Sequence, residues 1–271
     1  MENKMEVGVA GAGAMGSGIA LVAASAGHRV HLFDSNAKAL EKGIQGIRSQ
    51  LSKGVEKGKL TAAAAAEIEG RISVTSSIAE FKNCGLVIEA IIENLEIKKS
   101  LFAEIETHVN SECLLATNTS SLSVVAIASA CKNVSRILGI HFFNPANLMP
   151  LVEIIPAFTT GTDQVIVARN LIDSWGKVTV IAKDTPGFIV NRIARPFYSE
   201  AIRIYEEGIA DFATIDYAMK QYGGFKMGPF ELMDFIGNDI NYKVTETVWE
   251  QMFFDPRYKP SLTQKRLFEA G

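Results

Sequence analysis

The residues best suited to acid–base chemistry lie in one stretch, GIHFFNPANLMPLVEII, where His141 and Glu153 flank a loop bounded by Pro145 and Pro150. An unperturbed imidazole titrates at about pH 6.5, so it can take a proton from an alcohol near neutral pH. A carboxylate on its other ring nitrogen would fix the tautomer and stabilise the imidazolium that forms. Each residue alone has a plainer reading. His141 ends the apolar run RILGIH and could be a packed core histidine, and Glu153 could be a strand-end carboxylate. Inside LVEII, however, a carboxylate without a partner is a costly buried charge. Two runs joined by a short loop can lie side by side, and the pair then reads as a general base with its orienting partner. The other histidines, His28, His31 and His108, have no such partner by spacing and read as surface or packing residues.

A second constellation lies near the start. Gly11-Ala12-Gly13-Ala14-Met15-Gly16 fits G-x-G-x-x-G, directly after the apolar run MEVGVA and at the head of a helical pattern. In that context Gly11 permits a tight turn, Gly13 lets a pyrophosphate approach the backbone, and Gly16 allows close helix–strand packing. The N–H groups and dipole of the helix start favour phosphate, with Ala14 and Met15 in the same first turn. Asp34 closes the next run, RVHLFD, where a carboxylate can accept from both ribose hydroxyls and repels a 2′-phosphate. Ser35 and Asn36 follow it, with no arginine, which points to NAD as cofactor rather than NADP. The plainer alternative is a structural glycine turn followed by a helix-capping aspartate.

These groups need a scaffold with strand ends in a row. After RVHLFD come ISVTSS, GLVIEAI, LLATNTS, RILGIH, LVEII and VTVIA, with helical segments among them. The alternation predicts an α/β fold, a Rossmann-type, doubly wound, mostly parallel sheet. At Thr185-Pro186-Gly187 the pattern changes. No strand-like run follows, and Phe188, Ile189, Ile193, Phe197, Ala201, Ile204 and Tyr205 recur at helical spacing. Residues 1–186 are expected to form an NAD-binding Rossmann-like domain, and 187–271 a smaller all-helical C-terminal domain. The stretch from Val7 to Gly27 carries no charge, which imitates a signal peptide or a membrane span. Its glycines at 8, 11, 13, 16 and 18 divide it into strand, turn and helix instead.

Composition closes off other classes. The 271 residues are 48% hydrophobic and 21% charged, enough for a sizeable core. A net charge of −3 supplies no basic field, so nucleic acid is not an expected partner, and neither is a membrane. Cys84, Cys113 and Cys131 are odd in number and lack metal-ligand spacing, so no metal is expected; they suit a reducing compartment, and the expected location is cytoplasmic. Lys53 and Lys57 share a helix face at i, i+4, with Lys59 beyond; such a run ordinarily means a solvated charged face.

Read together, GAGAMGSGIA, VIEAIIENLEIKK, ATNTSSLS, GIHFFNPANLMPLVEII, KDTPGFIVNRI and MGPFELMDFIG resemble the L-3-hydroxyacyl-CoA dehydrogenase family, especially its short members acting on 3-hydroxybutyryl-CoA. The motifs run in the family's order over nearly the whole chain. The resemblance implies that His141 is the catalytic base and Glu153 its partner, and that Ser120 and Asn191 contact the substrate's 3-oxygen. It implies that Asp34 holds the adenosine ribose, that Glu93, Lys98 and Asn118 line the nicotinamide side, and that Lys53 and Lys57 meet the CoA phosphates. It also implies an acyl-CoA substrate and a homodimer formed through the helical domain. Ser120 and Asn191 could instead serve as helix caps. Two departures stand out. Family chains usually continue past the FEAG found here, through a glycine- and basic-rich stretch to an aromatic finish, whereas this sequence ends at Gly271. The loop after HFFNP reads ANLMP where many members have APVMK, which leaves the acyl chain length open.

Two other readings share these features. One is a related NAD dehydrogenase acting on a sugar acid or a free diketone. The other is a non-catalytic NAD-binding protein, against which the His141–Glu153 pair argues, since mere binding needs no buried carboxylate beside an imidazole.

Overall fold

The apolar runs assemble into one eight-stranded sheet. A computed structural model describes residues 4–271. The chain divides into two compact units, the first ending at Asp184 and the second spanning Thr185–Gly271. The first unit runs β1 (Glu6–Ala10), α1 (Ala14–Ser25), β2 (Arg29–Phe33), α2 (Ala37–Glu56), α3 (Ala62–Gly70), β3 (Ile72–Thr75), β4 (Cys84–Glu89), α4 (Leu95–His108) and β5 (Leu114–Thr117). It continues with α5 (Val124–Ala128), β6 (Ile137–Phe142), β7 (Leu151–Pro156), α6 (Thr162–Ser174) and β8 (Val178–Ile181). In space the strands follow β3-β2-β1-β4-β5-β6-β7-β8. All neighbours are parallel except β6 and β7, which pair antiparallel. The chain order reverses between β1 and β4, and at such a switch point the strand ends open a crevice for ligands.

Burial explains the patterns. Every residue of β5 and β6 is buried, so these strands read as unbroken apolar runs, as a sheet covered on both faces requires. α1 is buried from Gly16 to Ala24, packed on β2 and against α2. A helix apolar all round belongs inside. The uncharged stretch from Val7 to Gly27 is therefore β1, a turn and α1, and among the described residues no helix is long and apolar enough to cross a membrane.

The second unit contains α7 (Val190–Glu206), α8 (Phe212–Gln221), α9 (Pro229–Ile236), α10 (Asn238–Gln251) and α11 (Leu262–Ala270). Tyr198, Ile202 and Met233 form its small core, with Phe197 and Phe230 against them. The rings of Tyr205 and Phe212 stack at 3.9 Å between centroids. The Asp216 carboxylate accepts from the amides of Phe230 and Glu231, capping a helix whose own N-cap, Gly228, has no side chain to do so. Phe235, Phe253 and Phe254 stay exposed.

Candidate active site

The antiparallel ladder sets the acid–base pair. His141 of β6 stands directly opposite Glu153 of β7, and directly opposed residues present their side chains on one face of the sheet. The imidazole Nδ1 lies 2.7 Å from the Glu153 Oε2. Glu153 is fully buried and His141 nearly so, with the Phe143 ring 4.5 Å from the imidazole between centroids. A carboxylate in such a place needs a hydrogen-bonded partner, and the imidazole is one.

Along the same strand ends lies a cluster of charges. Glu89 closes β4 and is fully buried; its Oε1 accepts from Lys98 Nζ at 2.5 Å and from the Ile91 amide at 2.7 Å. Its Oε2 accepts from the Thr117 hydroxyl at 2.7 Å. Lys98, buried on α4, also lies 3.3 Å from Glu93. Glu93 Oε1 in turn accepts from the Thr119 hydroxyl at 2.6 Å and from the amides of Ser120 and Ser121 at 3.0 and 3.3 Å. Burial alone would raise the Glu93 carboxyl. The Lys98 charge, then the Thr119 hydroxyl and the Ser120 amide, outweigh it and hold the group below the ordinary carboxylate range. Asn118 joins the cluster to the pair: its amide donates to the Glu89 carbonyl at 2.8 Å, and its side-chain oxygen accepts from the Phe142 amide, also at 2.8 Å.

The glycine turn fits a dinucleotide. Gly11 has a φ of 110°, and a Cβ there would stand 2.5 Å from the Ala90 carbonyl oxygen; at Gly16 it would stand 1.8 Å from that of Gly11. Gly13 is different. Nothing lies within 4 Å of its absent Cβ, and as N-cap of α1 it brings no side-chain cap. That open cradle beside the first turn, with Ala14 and Met15, suits a phosphate. Asp34 is oriented by the amides of Ala12 at 2.8 Å and Asn36 at 2.9 Å. It borders a cavity of about 730 Å³ lined also by Ser35, Ser76, Ile78, Ile91 and Leu101, roomy enough for an adenosine.

The first unit thus brings His141, Glu153, Asn118, Glu93, Lys98 and Ser120 along adjoining strand ends. Ser120 sits in the loop after β5 with its hydroxyl 3.5 Å from Glu93. Asn191 lies in the first turn of α7, in the second unit. Lys53 occupies the last turn of α2 and Lys57 caps it, both exposed. Lys59 lines a second cavity of about 320 Å³ with Gln50, Asn147, Trp175 and Lys177. Lys177 Nζ donates to the carbonyls of Ala146 at 2.6 Å and Met149 at 2.9 Å, which anchors the loop between β6 and β7. Glu89, Thr117 and Thr119 escape a reading by sequence. The one hint is a carboxylate at the end of the apolar run GLVIEAI. His31 corrects an expectation: its Nε2 lies 3.2 Å from Glu6, because the parallel pairing of β1 and β2 brings them together on neighbouring strands. Cys84, Cys113 and Cys131 are free and buried, and burial pushes the Cys113 and Cys131 thiols up to about 12, far from a reactive thiolate.

Residues 6–185 match the family model described as 3-hydroxyacyl-CoA dehydrogenase, NAD binding domain, and residues 187–271 match the C-terminal domain of the same enzyme. The chain is 46% identical to 3-hydroxyadipyl-CoA dehydrogenase of Escherichia coli (strain K12) over 271 residues, all of this chain and 57% of that protein's length. It is 40% identical to a probable 3-hydroxybutyryl-CoA dehydrogenase of Deinococcus radiodurans over 98% of this chain and 95% of the relative. A crystal structure of 3-hydroxybutyryl-CoA dehydrogenase from Escherichia coli K12 superposes with a TM-score of 0.97 at 46% identity, covering 99% of this chain and 57% of the other.

Proposed function

On the premise that the chain belongs to the 3-hydroxyacyl-CoA dehydrogenase family, we propose that it interconverts the L-3-hydroxy and 3-oxo forms of an acyl-CoA. The observation that carries this reading is the buried contact of 2.7 Å between His141 Nδ1 and Glu153. With Nδ1–H donating to the carboxylate, the basic lone pair of the neutral ring belongs to Nε2, which takes the proton of the 3-hydroxyl. Glu153 then stabilises the imidazolium without itself being protonated. NAD, when bound, supplies the hydride acceptor. Gly11, Gly13 and Gly16 with Ala14 and Met15 hold its pyrophosphate and Asp34 its ribose, while Glu93, Lys98 and Asn118 line the nicotinamide side. Ser120 and Asn191 serve the 3-oxygen as hydrogen-bonding groups, and Lys53 and Lys57 meet the CoA phosphates, for which loosely placed charge suffices.

The names of the relatives differ in the acyl group, hydroxyadipyl in one and hydroxybutyryl in another. An NADH-oxidation assay with acetoacetyl-CoA and with longer 3-oxoacyl-CoA thioesters tests the reading. Turnover of the thioesters is expected; turnover of free 3-oxo acids or diketones in their place would refute it. The helical unit is proposed to form a homodimer through exposed rings such as Phe235, Phe253 and Phe254. Sedimentation at micromolar concentration should show a dimer, and a monomer would count against it.

A further inference from the structure

Two carboxylates share one ammonium in the cluster of Glu89, Lys98 and Glu93. Its formal charge is therefore −1, and Glu93 is held below the ordinary carboxylate range, so it is ionised at neutral pH. The excess stands at a telling place. Neighbouring strands run β1, β4, β5, β6, with the glycine turn after β1 and His141 near the end of β6. A dinucleotide that starts at the glycine turn and delivers its reactive ring to His141 must cross the ends of β4 and β5. Those ends carry the cluster: Glu89 closes β4, and Glu93 binds the loop 119–121 that follows β5.

The two redox forms of the reactive ring differ by one unit of charge there. The oxidised nicotinamide is a cationic pyridinium, and the reduced ring is neutral. We propose that Glu89, Lys98 and Glu93 act together as a charge selector, whose excess negative charge favours the oxidised cofactor over the reduced one. Lys98 is the element that limits the effect. It pairs with the buried Glu89 at 2.5 Å and leaves the farther Glu93, at 3.3 Å, as the carboxylate of the cluster that solvent reaches. With the lysine in place, Glu93 is held ionised and the formal charges of the three groups sum to −1. The inference rests on the dehydrogenase reading, and it bears on the balance of the two directions of the reaction rather than on the chemistry at His141.

The test is the ratio of two binding constants, not activity. Dissociation constants for NAD+ and NADH are measured by calorimetry or protein fluorescence in wild type, Glu93→Gln, Glu93→Asp, Glu89→Gln and the distant surface variant Glu112→Gln. Damage to the loop weakens both forms alike and cancels in the ratio, whereas removal of a charge does not. Glu93→Gln and Glu89→Gln should each shift the ratio toward NADH by about three- to tenfold, as a unit charge a few ångströms away at a partly screened site would. Glu93→Asp and Glu112→Gln should leave it within about twofold of wild type, the first because charge is retained and the second because it lies beyond the other end of β5. Equal weakening of both forms in Glu93→Gln and Glu89→Gln would overturn the inference and reduce the cluster to a structural tie. A wild-type protein that binds neither form would overturn the dehydrogenase reading beneath it.

Discussion

The first unit holds two acid–base groupings, and they are built on opposite plans. His141 and Glu153 are opposed residues of one antiparallel ladder, joined at 2.7 Å. Glu89, Lys98 and Glu93 come from a strand end, a helix and a loop, and they gather Thr117, Thr119, Ser120 and Ser121 around them. The ladder gives one distance and one orientation, as proton transfer requires. The cluster gives cohesion, because each charge ties two segments of backbone. A strand pair is thus suited to chemistry, and a web of loop contacts to holding a ligand between segments that must stay in step.

Substitutions should separate the two plans. The largest effect is expected at the ladder. Glu153→Gln keeps size and a hydrogen-bonding group but removes the counter-charge of the imidazolium, so turnover should fall between about tenfold and a thousandfold. His141→Gln should fall at least as far, and the double variant should be little worse than His141→Gln alone, because the pair acts as a unit. NADH affinity should stay near wild type in all three. Steady-state kinetics beside binding measurements check this, and fully additive losses would break the pair into independent residues.

The next effect belongs to the cluster and is one of stability. Glu89→Gln leaves the buried Lys98 ammonium with only the partly exposed Glu93 as counter-charge. Breaking a buried ion pair in this way costs about 3 kcal/mol, the lower end of the range because Glu93 remains. Glu153→Gln should cost less, since a neutral imidazole can still hydrogen-bond an amide. Urea unfolding of the two variants compares them directly, and a greater loss in Glu153→Gln would invert the comparison.

The smallest effect is a slope. Because Glu93 lies below its ordinary value of 4.5 in the folded chain, its contribution to stability is fully present above that pH and fades as pH falls through the lower folded value. Glu93→Gln should therefore flatten the loss of stability below pH 4.5 and leave the slope above it unchanged. Parallel acid titrations of the two proteins decide the matter, and identical slopes would detach Glu93 from the cluster's electrostatics.

The same contrast explains what could be read from sequence. The ladder pair was legible because both residues sit inside short apolar runs on either side of one Pro-bounded loop, so local pairing alone brings them together. The glycine turn was legible for a similar reason, its function being written in consecutive residues. Glu93, Lys98 and Asn118 entered only through resemblance to a family. Glu89 did not enter at all: its partner Thr117 lies across a parallel crossover, and nothing in either segment announces the other. The alternation of strands and helices predicted the mostly parallel sheet, while the direction of β7 carries no signature in its own residues. His31 shows the same limit, since its contact with Glu6 depends on which strands are neighbours.

The loop from Phe143 to Pro150 is anchored through its backbone, Lys177 holding the carbonyls of Ala146 and Met149. Carbonyls are common to every amino acid, so this tether is indifferent to which side chains the loop carries, and Leu148 and Met149 project outward from it. A slip of β7 by one residue, in contrast, would turn Glu153 to the opposite face of the sheet and end its contact with His141. The flanking strands are thus bound by register, whereas changes at the exposed Leu148 and Met149 leave the tether untouched. A new side chain at either position would leave the opposed pairing of His141 and Glu153 as it stands.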